Sequence, residues 1–143
     1  YFLTPNPDMT LTVPAATENV ITFGGYDNVT NAFYPKSGRG FTRENRIKPD
    51  MTAPAVNVYG PGISGGYTRR TGTSVACALG AGACAQILQW GIVEDNEPYM
   101  KNNYIKNYLI RGAERNRDIR YPSEQWGYGT INVFDSFLIL TRT

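Results

Sequence analysis

The chain predicts an α/β fold on a mainly parallel sheet, and three observations predict it. Short apolar runs closed by glycine alternate with longer stretches of helical period. One of those stretches, residues 74–93, is apolar, rich in small residues and free of charge, as a helix enclosed within a layered domain requires. Apolar content of 41%, with 15 Gly and 10 Tyr, suits a packed chain and argues against disorder. Strands that alternate with helices pair in parallel through crossovers. No repeat, low-complexity tract or internal boundary interrupts residues 1–143, which are read as one unit.

Each element follows from local pattern. Val20-Ile21-Thr22-Phe23 is a short apolar run stopped by Gly24-Gly25, which predicts a buried strand. Phe33 and Tyr34 open a connection through Pro35, Gly38 and Gly40. Ala55-Val56-Asn57-Val58-Tyr59 alternates with period two and ends at Gly60-Pro61-Gly62, predicting a second strand. Residues 65–71 form a loop or hairpin arm, and a helix follows over residues 74–90. A second helix is expected over residues 99–111, where Tyr104, Ile105, Tyr108 and Leu109 make an apolar stripe before Gly112. Asn132 is placed to cap a last helix carrying Phe134, Phe137 and Leu138.

The residues before the long helix carry the chemistry. Gly72-Thr73-Ser74-Val75-Ala76 resembles the nucleophile motif of the subtilisin-like serine proteases. Four further segments resemble that family in the same order. They are Asn19-Val20-Ile21-Thr22-Phe23-Gly24-Gly25-Tyr26-Asp27, Ser37-Gly38-Arg39-Gly40, Lys48-Pro49-Asp50-Met51-Thr52-Ala53-Pro54-Ala55-Val56 and Trp126-Gly127-Tyr128-Gly129-Thr130-Ile131-Asn132-Val133. The chain departs from the family pattern at Ala78, where a proline is usual, and at Ala55, where a glycine is. Neither change removes a reacting atom.

The resemblance implies a three-layer α/β/α fold of which this chain holds the C-terminal half. It implies Ser74 as nucleophile and, through its backbone N–H, as one oxyanion donor, with Thr73 in support. The chain contains no histidine, and a serine hydroxyl needs a base to take its proton. The aspartate, the histidine and the oxyanion asparagine are therefore expected from an N-terminal half, in the upstream region or a companion chain. Asp50 matches a structural position of the family rather than its triad aspartate. On this reading the parent cleaves peptide or protein substrates, the chain alone is inactive, and no cofactor is required, although structural calcium is compatible with the family. The alternative is a catalytically inactive homologue that acts as a binding or regulatory module. For Gly72-Thr73-Ser74 alone, the plainer reading is an ordinary helix N-cap.

Other features bound the function. A net charge of +2 with scattered basic residues gives no footprint for nucleic acid or an anionic membrane. Residues 74–93 are long enough to span a bilayer, but Gln86, Gln89 and the small residues favour an enclosed soluble helix. Cys77 and Cys84 lie on that helix about 10 Å apart, beyond disulfide reach, and are read as packed thiols on one face. Unpaired thiols lean towards a reducing compartment, which leaves localisation open. Asp27, Asp95, Asp118 and Asp135 show no spacing that suggests a paired acid or a metal site. Residues 60–66 lack the lysine of a phosphate loop, and Asn28-Val29-Thr30 is a glycosylation sequon.

Overall fold

The computed structural model describes residues 3–142. Strands β1 (Phe23–Asp27), β2 (Ala32–Phe33) and β3 (Met51–Pro54) form a sheet in the order β2-β1-β3. β1 and β3 run parallel, with Phe23 opposite Met51 and Tyr26 opposite Pro54. β1 and β2 are antiparallel, pairing Tyr26 with Phe33. β4 (Val58–Pro61) and β5 (Tyr67–Arg70) make a separate antiparallel hairpin. Helix α1 (Thr73–Leu88) runs on through a π-helical turn, Gln89–Val93, and is followed by α2 (Asn102–Gly112) and α3 (Val133–Leu140).

The α/β class stands, and the described sheet is mixed: β1 and β3 pair in parallel along their length, and the two-residue β2 adds an antiparallel edge. Residues 28–31 are too few for a crossover, so β2 must turn back along β1. The first strand also sits later than its apolar run suggests. Gly24 and Gly25 lie inside β1 because they let neighbouring chain come close. A Cβ on Gly25 would stand 2.6 Å from the Ala55 Cβ, and one on Gly24 3.1 Å from the Thr52 Cγ2. Glycine here marks close approach, not a strand end. Of the expected strand over residues 55–59 only Val58 and Tyr59 are extended, in β4; residues 55–57 lie between β3 and β4, where Asn57 takes φ 50° and breaks the run.

Helix α1 lies across β1 and β3, burying Ala76, Gly80, Ala83 and Ile87 at helical spacing. Gly80 is the contact point with the sheet: a Cβ there would meet the Phe23 ring at 2.2 Å. The expectation of a helix enclosed all round is corrected. Cys77, Ala78, Gly82 and Ala85 are exposed in this chain, and Leu79 is 41% exposed. Thr73–Val93 is long and apolar enough to cross a membrane, but its buried stripe is spent on the sheet.

The main core joins Met51, Ala83, Ile87, Met100, Ile105, Leu109 and Leu140, and a smaller cluster of Ala53, Ala55 and Ala76 lies towards the start of α1. α2 begins later than predicted, at Asn102, and buries Ile105 and Leu109 while Tyr104 stays half-exposed. The Asn132 cap is present: its Oδ1 accepts from the Asp135 N–H at 3.0 Å.

Candidate active site

Ser74 is exposed in the first turn of α1, beyond the ends of the parallel strands β1 and β3. A hairpin end and two hydrogen bonds aim the chain into that helix. The β4–β5 hairpin ends at Arg70. The Thr71 Oγ1 accepts from the Asn57 N–H at 2.9 Å, and the Gly72 N–H donates to the Ala55 carbonyl at 2.8 Å. The segment after β3 thus positions the segment before α1. Gly72 itself has φ 153° and ψ 157°, a backbone that only glycine adopts without strain.

Gly72 is the N-cap residue, and α1 has no side-chain capping bond. The plainer reading of Thr73 and Ser74 as capping residues is therefore set aside. Among the described residues nothing hydrogen-bonds the Ser74 hydroxyl. The Val75 N–H bonds back to the Gly72 carbonyl at 3.0 Å, but the N–H groups of Thr73 and Ser74 have no carbonyl before them in the helix, and they lie at the positive end of its dipole. No acidic side chain in the first turn of α1 offsets that field. Chemically, the position presents an unengaged hydroxyl beside donors suited to a developing negative charge.

Thr73 is half-buried, with its Cγ2 3.4 Å from where a Cβ on Gly25 would stand. It borders a cavity of about 450 Å³ that Phe23, Ser37, Lys36 and Arg39 also line. The Ser37 hydroxyl accepts from the Gly25 N–H at 3.0 Å, so the loop over residues 37–40 is tied to β1 beneath Thr73. The structure brings the 19–27, 37–40, 48–56 and 72–76 segments together around this end of the sheet.

The fifth segment meets them through a buried ionic cluster that sequence reasoning missed. Asp50 and Lys48 are 0% and 2% exposed, and the Lys48 Nζ lies 2.7 Å from the Asp50 Oδ2. The same ammonium donates to the Val20 carbonyl, and the Thr22 N–H donates to Oδ2 at 2.7 Å. Lys106, from α2, pairs with the other carboxylate oxygen at 2.5 Å. The Tyr128 N–H donates to the Asp50 carbonyl at 2.9 Å. Burial pushes the Lys48 pKa below its usual value, against the opposing hydrogen bond and charge of Asp50. The signal was a charged pair, Lys48 and Asp50, directly before a strand, but Lys106 is 56 residues further on and carries no mark of its role.

Two of the other aspartates do structural work. Asp27 accepts from the Val29 N–H, which holds its pKa low, and Asp135 belongs to the Asn132 cap. Among the described residues no three acidic or thiol side chains converge as a metal site. Residues 62–66 turn the β4–β5 hairpin, with Ile63 at its exposed tip, so the phosphate-loop likeness is superficial. Both cysteines are free thiols; Cys84 is half-buried, but Cys77 is exposed rather than packed.

A model of the subtilase family matches residues 4–129. The chain belongs to the subtilase family. Its structure superimposes on that of the CspB protease of Clostridium perfringens with a TM-score of 0.93 and 36% identity, covering 99% of this chain and 31% of that one. Among curated subtilase relatives, the membrane-bound transcription factor site-1 protease of Mus musculus is 30% identical over 138 residues, 92% of this chain and 12% of that protein. The serine protease AprX of Bacillus subtilis is 28% identical over 151 residues, 91% of this chain and 32% of its own length. This subtilase chain thus spans about a third or less of each of these three relatives, and it has the subtilisin-like fold of a protease-domain segment.

Proposed function

We propose that this chain is the part of a subtilisin-like serine endopeptidase that carries the nucleophile, Ser74. The observation that carries the reading is an exposed hydroxyl with no capping duty at the amino end of α1, in a chain of this family. A histidine from the remainder of the parent takes the Ser74 proton as Oγ attacks the scissile carbonyl. The tetrahedral oxyanion is met by the Ser74 N–H and by an asparagine side chain from that same remainder. The amine leaves with the proton from histidine, and water then releases the acyl group. Thr73, fixed over Gly25, supports the oxyanion side. No cofactor takes part, and a calcium ion would have a structural role only. The N-terminal half of the protease is the partner, and the substrates are peptides or proteins. Nucleic acid and membrane have no part in this reading.

The test is labelling with a fluorophosphonate, which needs an activated serine. The intact parent should label on Ser74, Ser74→Ala should not, and the isolated chain should stay unlabelled because it has no histidine. An intact parent that folds but neither labels nor cleaves peptides identifies an inactive homologue used for binding or regulation. Equal labelling of the isolated chain would show that activation needs nothing beyond these residues.

A further inference from the structure

On the face of the sheet away from α1, Tyr26, Tyr121 and Trp126 wall a pocket of about 230 Å³, together with Glu114, Asn116 and Thr130. Alternation along β1 sets the placement: the Phe23 ring and the Gly25 position face α1, so Tyr26 faces away. The aromatic wall is braced from behind. Trp126 is 8% exposed, with Tyr26 at 5.8 Å and Phe33 edge-on at 5.9 Å between ring centroids. The Arg39 guanidinium stands over the Phe33 ring at 5.5 Å, and the Tyr121 hydroxyl accepts from the Asn116 N–H at 3.2 Å.

Glu114 is equally well placed. Its N–H donates to the Thr130 carbonyl and the Thr130 N–H donates back, both at 2.9 Å. That double bond pattern fixes where the side chain leaves the backbone. Among the described residues no lysine or arginine pairs with its carboxylate. The neighbouring Arg115 turns away to the Ile110 carbonyl at 2.6 Å. One phenol of the wall senses the charge: the Tyr26 pKa is raised, chiefly by burial and further by Glu114.

We propose that this pocket binds an organic cation, the lysine or arginine side chain of a peptide, between Glu114 and the aromatic wall. A cation is attracted both to ring faces and to an unneutralised carboxylate, and partial desolvation strengthens both. A neutral apolar group would cover Glu114 and leave its charge unpaired. An anion would be repelled outright. The volume is below the ~300 Å³ at which sites for cofactors and drug-sized ligands begin, so it selects a single side chain. The proposal does not depend on the role of Ser74.

The experiment is calorimetric titration of the intact protein, carrying Ser74→Ala to prevent turnover, with three capped amides. Nα-acetyl-lysinamide and Nα-acetyl-argininamide should bind saturably, and the neutral Nα-acetyl-norleucinamide should not. Glu114 is exposed at the pocket's rim, so Glu114→Gln should weaken the cations by about fivefold, and Glu114→Asp should fall between. Unfolding of Glu114→Gln should match the parent, because no partner is lost. The proposal is overturned if neither cation binds saturably, if norleucinamide binds as well, or if Glu114→Gln binds as tightly as Glu114.

Discussion

Replacing Gly80 by alanine tests the seating of α1 on the sheet. Alanine is the better helix former by about 0.8–1 kcal/mol, so at an open position the change would stabilise. Gly80 is not open. Its added methyl would stand 2.2 Å from the Phe23 Cε2 and 2.4 Å from Cζ, and overpacking of this kind costs about 1–3 kcal/mol. The net expectation is a destabilisation between ~0 and 2 kcal/mol. Phe23→Leu removes the ring atoms in question, so in that background Gly80→Ala should recover the helical gain. The two changes should couple by about 1–3 kcal/mol in a double-mutant cycle read by urea unfolding of the intact protein. Additive effects, or Gly80→Ala alone stabilising by ~1 kcal/mol, would show that α1 does not rest on Phe23 as described.

Asp50→Asn leaves Lys48 buried without its counter-charge and should cost about 3–5 kcal/mol in unfolding; a loss under ~1 kcal/mol would mean the cluster is wet. Gly72→Ala forces a side chain onto φ 153°, so peptide hydrolysis by the parent should fall well before its melting temperature does. Ala76→Leu overpacks a residue that is fully buried beside Ala53 and Ala55; acylation rate should drop with a stability loss of about 1–3 kcal/mol. In ultraviolet titration, Tyr26 should ionise above the other phenols, because burial and Glu114 raise its folded pKa. Its contribution to stability is then full below the unfolded value and is lost as pH rises through the folded one. Tyr26 ionising with the bulk of the tyrosines would contradict the pocket's burial.

Local pattern made the helices legible, and close packing hid the rest. The Asn132 cap and the Ile105–Leu109 stripe followed from spacing alone, because capping and amphipathicity are properties of a single element. The strands were displaced because Gly24 and Gly25 were read as punctuation. Their reason lies across the sheet, at Ala55 and Thr52, which no local window contains. Lys106 was invisible for the same cause: an exposed-looking lysine on an amphipathic helix pairs with a carboxylate far away in the chain. The small residues of α1 are likewise alike in sequence and unlike in place: Ala76 is fully buried, Gly80 makes the close approach to Phe23, and Gly82 has open space around it.

The candidate site occupies an intermediate position between these cases. Ser74 is singled out by its own motif, but the reason it stands free is distributed over the fold. Gly72 takes the N-cap position, so neither hydroxyl is needed for capping. The Ala55 carbonyl holds the Gly72 N–H, and Ala55 packs against the bare Cα of Gly25. Gly25 in turn is held by the Ser37 hydroxyl. Each segment that resembles the family ahead of Ser74 thus supplies a contact that only a small residue, a hydroxyl or a backbone group can make. A larger side chain at any of them would displace the start of α1 by a fraction of an ångström, enough to disturb the catalysis proposed for Ser74 while the core formed by α1, α2 and α3 stayed folded.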